Sequence, residues 1–153
     1  MNFGSTLFLK VVIYLIGLAA LGVCIIIAGV SLSGNAGMYL PVLALMFVTA
    51  LPFFYALYNG VLLLRYIEKN IAFSELSIQA IRAIKYSAFS ISVLYSGGMP
   101  VTVSVAHTDD APGVVLIAFI FIFATLIVGV FAAVLEKLLQ NAIDIKSEND
   151  LTV

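Results

Sequence analysis

Apolar residues fill the chain in four long runs, and polar residues gather in the gaps between them. The first run, Val11 to Leu32, carries no charge. As a helix rising ~1.5 Å per residue it is long enough for the ~30 Å hydrocarbon layer. It exceeds the ~7–15 apolar residues of a signal peptide, so a retained membrane helix is expected, not a cleaved leader. The uncharged turn with Gly34 and Gly37 follows. The second run, Tyr39 to Leu64, has Pro41 where a first helical turn tolerates it. Pro52 lies near its middle and is expected to kink it.

The only long interruption is Arg65 to Lys85. Ser74 and Glu75 read as a helix start, with Ser74 as N-cap and Glu75 at the positive end of the dipole. Phe73, Leu76, Ala80, Ile81, Ile84 and Ala88 recur at helical spacing, with Glu75, Gln79, Arg82 and Tyr86 opposite. This predicts an amphipathic helix at the membrane interface leading into the third span. That span is diluted by serines and threonines and should weaken or kink at Gly97-Gly98-Met99-Pro100. After a connector with His107, Asp109 and Asp110, Pro112 opens the fourth run. The two aspartates suit the N-terminus of that helix. The expected helices cover about 8–32, 39–64, 74–105 and 112–145, with a connector over 65–87 and a polar tail over 146–153. They form one membrane domain over residues 1–153.

Composition sharpens the class. The 153 residues are 63% hydrophobic and only 10% charged. Soluble domains carry roughly 25% charged residues, so the fold class is an all-α polytopic membrane protein, a bundle of four transmembrane helices in a lipid bilayer. A formal net charge of -1 gives no basis for direct nucleic-acid binding. The single cysteine, Cys24, leaves no intrachain disulfide and reads as a small buried hydrophobe. No cofactor motif, nucleophile elbow or metal-ligand spacing is present, so no enzyme activity, cofactor or metal is expected. His107 with Asp109 and Asp110 follows no ligand-spacing rule.

The charges also orient the chain. Arg65, Lys69, Arg82 and Lys85 stand against Glu68 and Glu75 in the middle stretch, and the two short connectors have no Lys or Arg. The positive-inside rule puts the middle stretch, and with it both termini, in the cytoplasm. The tail sets Lys137 and Lys146 against Glu136, Asp144, Glu148 and Asp150, which suggests that it docks on the basic stretch.

Within the lipid, Pro52, Tyr55 and Asn59 share one helical face, and Ser92, Tyr95 and Ser96 lie on a face of the next span. They are either interhelical glue or the lining of a small-molecule pocket. Thr125, Gly129 and Ala133 form a small-residue stripe that serves either bundle packing or a homo-oligomer.

Phe73-Ser74-Glu75, Ile81-Arg82-Ala83-Ile84 and the ending Glu148-Asn149-Asp150-Leu151-Thr152-Val153 carry a resemblance. Over about residues 7–153 the chain resembles the bacterial membrane proteins grouped as domain of unknown function 2975. That family has no established activity. The resemblance implies four spans and a partnership with a small cytoplasmic helix-turn-helix transcription regulator. The expected function is therefore a non-enzymatic, regulatory protein of the bacterial plasma membrane. Its partner-binding face would comprise Arg65, Lys69, Glu75, Arg82, Lys85, Glu148 and Asp150. The alternatives are an immunity protein against a membrane-active peptide, or a small oligomeric transporter or channel.

Overall fold

A computed structural model describes residues 3–151. The chain runs through α1 (Phe3–Leu32), a 3-10 turn (Gly37–Tyr39), α2 (Leu40–Glu68), α3 (Glu75–Gly97), α4 (Met99–Thr108) and α5 (Pro112–Leu151). No strand occurs among the described residues. Three unbroken segments, Gly4–Leu32, Gly37–Glu68 and Pro112–Leu151, are long and apolar enough to cross a membrane. α3 and α4 meet at a bend of 47°, and taken together as one broken span they are long and apolar enough for a fourth crossing.

The order of packing follows from polarity. α1 and α5 are the most apolar helices and can face lipid along much of their surface. α3 has the most polar sequence of the spans, and it occupies the middle, packed on α2 and on α5. α1 packs mainly on α2 and stands at the edge. Ser77, Ile78, Ala80, Ile81, Ser87, Ala88, Ile91 and Ser92 of α3 are all buried. Ile78 and Ser77 are completely so, at 0% exposure. The first turns of α3 are therefore held between protein surfaces. Ala80, Ile81 and Ala88 of the stripe read in the sequence are buried as expected, whereas Phe73 and Leu76 point outward and Ser77 and Ile78 point inward.

The hydroxyls in this region are satisfied locally, as a low-dielectric setting requires. Ser90 donates to the Tyr86 carbonyl and Thr102 to the Gly98 carbonyl, each one turn back. Ser92 reaches across to the Ile122 carbonyl of α5 at 3.3 Å. The break at Gly98 has two causes. Pro100 in the first turn of α4 has no N–H to continue the ladder. At residue 98 the absence of a Cβ makes room for the tip of the Leu45 side chain of α2, which a Cβ would force to move. α2, by contrast, continues unbroken through Pro52 to Glu68.

Several helix ends differ from the sequence reading. α2 closes at Asn70, in the left-handed region with φ 59°. The Ile71 N–H donates to the Tyr66 carbonyl and the Asn70 N–H to the Ile67 carbonyl, the paired bonds of a Schellman stop. Asp110 (φ 51°) ends α4 in the same way, through Ala111 N–H to Ala106 O. It terminates α4 instead of leading α5, because its backbone is needed for the stop. Asp109 accepts a bond from the Tyr39 hydroxyl, which ties the two short connectors together. Ser74 holds the N-cap position, but its hydroxyl donates to Ile71 O at 2.6 Å and makes no cap bond. The fourth helix does not stop near residue 145, because α5 stays helical to Leu151. Its 40 residues span ~60 Å, about twice the ~30 Å hydrocarbon layer. Its last turns must project beyond the membrane.

α3 and α5 meet along a seam of small residues. Ala118, Gly129 and Ala132 of α5 are buried, with Thr125 on the same face. The ring of Phe89 lies where a Cβ on Gly129 would sit, 2.8 Å from its nearest atoms. Of the stripe read in the sequence, Gly129 and Thr125 lie on this seam, while Ala133 is half-buried beside the buried Ala132. Gly129→Val is expected to destabilise the bundle by about 1–3 kcal/mol through overpacking, read as a lower unfolding midpoint in detergent. Gly22→Val, with open space around its Cβ position, should leave the midpoint unchanged.

Candidate functional site

All seven Lys and Arg residues gather at one end of the bundle. Four segments meet there: the start of α1, the end of α2 with the 69–74 loop, the start of α3, and the far half of α5. The opposite end has Asp109, Asp110 and His107 as its titratable connector residues besides Tyr39.

Two ion-pair clusters hold the charged end. Lys10 Nζ of α1 donates to Glu68 Oε2 of α2 at 2.7 Å, with both side chains only about one-fifth exposed. The Thr6 hydroxyl also bonds Glu68 and is buried. This cluster fixes the otherwise peripheral α1 against α2. In the second cluster, Glu136 of α5 accepts from two cations of α3. Arg82 Nε bonds its Oε1 at 2.8 Å, and Lys85 Nζ bonds its Oε2 at 2.6 Å. Glu136 and Lys85 are 15% and 17% exposed, whereas Arg82 is 50% exposed. Lys85 also lies 4.7 Å from the centre of the Tyr86 ring. Each carboxylate oxygen of Glu136 has its own charged donor, the arrangement that makes such bonds strong.

The expected partner-binding residues therefore separate. Arg82 and Lys85 are occupied by Glu136. Arg65, Lys69 and Glu75 are exposed and form no ion pair among the described residues. Glu148 and Asp150 are exposed on the last turns of α5. The contact between the C-terminal segment and the basic stretch is made at Glu136, not at these distal acids. Thr152 and Val153 lie outside the described residues. Beyond Glu136, α5 and the 69–74 loop bound an open groove of about 430 Å³ lined by Phe73, Ala142, Ile145, Lys146, Asn149 and Asp150. Phe73, Leu138 and Ile145 are each more than half exposed here. These side chains belong to the part of the molecule outside the long apolar runs.

The six intramembrane residues are not assembled into one pocket. Asn59 is buried and donates to the Tyr55 carbonyl of its own helix at 2.9 Å. Pro52 is half-buried, and the Tyr55 and Ser96 side chains are exposed on the bundle surface. Ser92 is taken up by the Ile122 carbonyl. Tyr95 lines an open cleft of about 290 Å³, bounded by α1, α2, α3 and α5 around Cys24, Thr49, Phe121 and Thr125. Thr49 and Tyr95 share a hydroxyl–hydroxyl bond at 3.1 Å, and Tyr95 stacks on Phe121. Thr49 was not singled out by the sequence, since one threonine in an apolar run carries no spacing signal. Glu136 had a signal, because it follows Gly129 and Ala132 on the same helical face. Among the described residues no three His, Cys, Asp or Glu side chains are grouped to hold a metal ion.

Glu136→Gln removes the carboxylate that two cations share. It is expected to lower stability by about 1–3 kcal/mol, the worth of hydrogen bonds to a charged group. Arg82→Gln should have the smaller effect, since Arg82 is half exposed and Lys85 keeps its bond. Unfolding midpoints of the two purified variants in the same detergent give the comparison.

Residues 31–153 match the model of a family described as "Protein of unknown function (DUF2975)". The chain is also 48% identical over 160 residues to the "Uncharacterized membrane protein YoaS" of Bacillus subtilis (strain 168). That alignment covers 100% of each protein. No solved structure matches the chain. The long apolar helices and both of these matches agree, and the chain belongs to the DUF2975 family of membrane proteins.

Proposed function

We propose that this is a non-enzymatic regulatory protein of the bacterial plasma membrane, and that its charged end docks a small cytoplasmic helix-turn-helix regulator. The observation that carries the reading is the groove beside α5. The last turns of α5 extend past its apolar run, yet they keep Leu138 and Ile145 exposed, with Phe73 across the groove from Ile145. Exposed apolar side chains with a polar rim of Lys146, Asn149 and Asp150 suit a helix-in-groove contact. Lipid does not account for them, because they lie beyond the span. Arg82 and Lys85 serve the bundle through Glu136, so the docking surface centres on Phe73 and Ile145, with Lys69, Glu75, Glu148 and Asp150 around it.

The same reading places both termini in the cytoplasm. Its support is the confinement of every Lys and Arg to one end, as the positive-inside rule expects. A signal would reach the groove through α3, which packs on α5 and bends at Gly98. The stimulus must bind the two states of the bundle with different affinity.

Photo-crosslinking from a photo-reactive residue at position 146, on the rim of the groove, in native membranes is the direct test of docking. A small DNA-binding protein should be captured by the wild-type groove and lost in Ile145→Asp and Phe73→Ser, both at exposed positions. Capture only of further copies of the chain, or of an extracellular peptide, would sink the reading. Orientation is checked separately in a Cys24→Ala background. A membrane-impermeant maleimide added to intact cells should label Asn35→Cys and leave Glu148→Cys unlabelled until the cells are opened.

A further inference from the structure

A second surface lies on the other side of the bundle, within the membrane. α1 and α2 leave a lateral groove of about 450 Å³ between them. Its walls are almost wholly apolar, with Gly17, Leu18 and Leu21 of α1 facing Phe54, Leu57 and Val61 of α2. Gly17 keeps the groove open: a Cβ added there would touch Leu57 at 3.6 Å, so any longer side chain would grow into this space. At the charged end the same groove is lined by Arg65.

Arg65 is the cation that lines this groove. Lys10, Arg82 and Lys85 each have a carboxylate within 3 Å. Arg65 is exposed and, like Lys69, forms no ion pair among the described residues. Its nearest acidic neighbour in the chain, Glu68, feels the charge of Arg65 but is bonded to Lys10. Tyr14 and Tyr58 line the groove and are more than half exposed, with hydroxyls available for a polar headgroup. Amphipathic aromatic rings of this kind favour the headgroup level of a bilayer. Lys69, one helical turn beyond Arg65, adds a second exposed cation at the same end.

We infer that the α1–α2 groove is a binding site for an anionic phospholipid, with an acyl chain along Leu18, Leu21, Phe54 and Leu57 and the phosphate on Arg65. The occupant follows from the location. A groove that opens sideways in a membrane protein is filled by acyl chains, since these are its solvent. The unpaired guanidinium then selects for negative charge, and its planar fork suits phosphate oxygens. A zwitterionic lipid fits the same apolar groove but brings no net charge to Arg65. This inference does not depend on the docking reading, because it concerns a different pair of helices.

The test uses the full chain in mild detergent, with phosphatidylglycerol and phosphatidylcholine of matched acyl chains as probes and native mass spectrometry as the readout. Wild type should retain one phosphatidylglycerol in preference to phosphatidylcholine. Arg65→Gln should reduce that preference about fivefold, the worth of one cation at an anionic surface. It should leave retention of phosphatidylcholine unchanged. Leu18→Trp, at an exposed position of the groove wall, should reduce retention of both lipids. Lys137→Gln, on the distant face of α5, should change neither. Equal retention of the two lipids by wild type, an undiminished preference in Arg65→Gln, or an equal loss in Lys137→Gln would each overturn the inference. Unfolding midpoints of the variants, matched to wild type, exclude misfolding as the source of a loss.

Discussion

A polar helix cannot face hydrocarbon, and the rest of this bundle is arranged around that constraint. α3 carries serines along a length that has no water to satisfy them. It is therefore wrapped by α2 on one side and α5 on the other, with α1 held outside α2. The peripheral helices can be apolar on nearly every face because lipid, not water, surrounds them. The usual inside-out pattern of a soluble core is thus replaced by a graded one, with the least apolar span at the centre.

Close approach requires small residues, and the seam between α3 and α5 supplies them. Gly129 makes room for the ring of Phe89, and buried Ala118 and Ala132 extend the same face. Where the seam leaves the membrane it ends in charge: Glu136 receives Arg82 and Lys85. Truncating such a partly buried carboxylate leaves two cations with no counter-charge, which costs more than an exposed pair is worth. The Lys10–Glu68 pair does the corresponding job for α1. Both clusters sit at one end, so that end is tied by charge, while at the opposite end the Tyr39–Asp109 bond ties the two short connectors.

This division bears on function. Cations that neutralise Glu136 and Glu68 belong to the framework. Of the four left over among the described residues, Arg65 and Lys69 stand at the end of α2 and Lys137 and Lys146 on α5. The last turns of α5, with Ile145 opposite Phe73, offer an apolar surface outside the long apolar runs. The molecule therefore carries two chemically different grooves, an almost wholly apolar one between α1 and α2 and one with a polar rim between α5 and the 69–74 loop.

The membrane class, the long apolar helices, the weak point at Gly97–Pro100 and the clustering of positive charge were all legible in the residues. Each depends on composition or on local periodicity, which survive without knowledge of neighbours. The tertiary structure alone decided the pairings. Arg82 and Glu136 are 54 positions apart, and no local pattern states which acid meets which cation. The same holds for the intramembrane polar residues: helical spacing put Tyr55 and Asn59 on one face and Ser92 and Ser96 on another, but which turn of each face a neighbouring helix covers left Tyr55 and Ser96 exposed and Asn59 and Ser92 buried. Helix ends were misread for a related reason. Asp109 and Asp110 look like N-terminal caps in isolation, yet the Schellman stop of α4 and the reach of Tyr39 claimed them first. Periodicity fixes what a helix can bury; only packing against its neighbours fixes which way it turns.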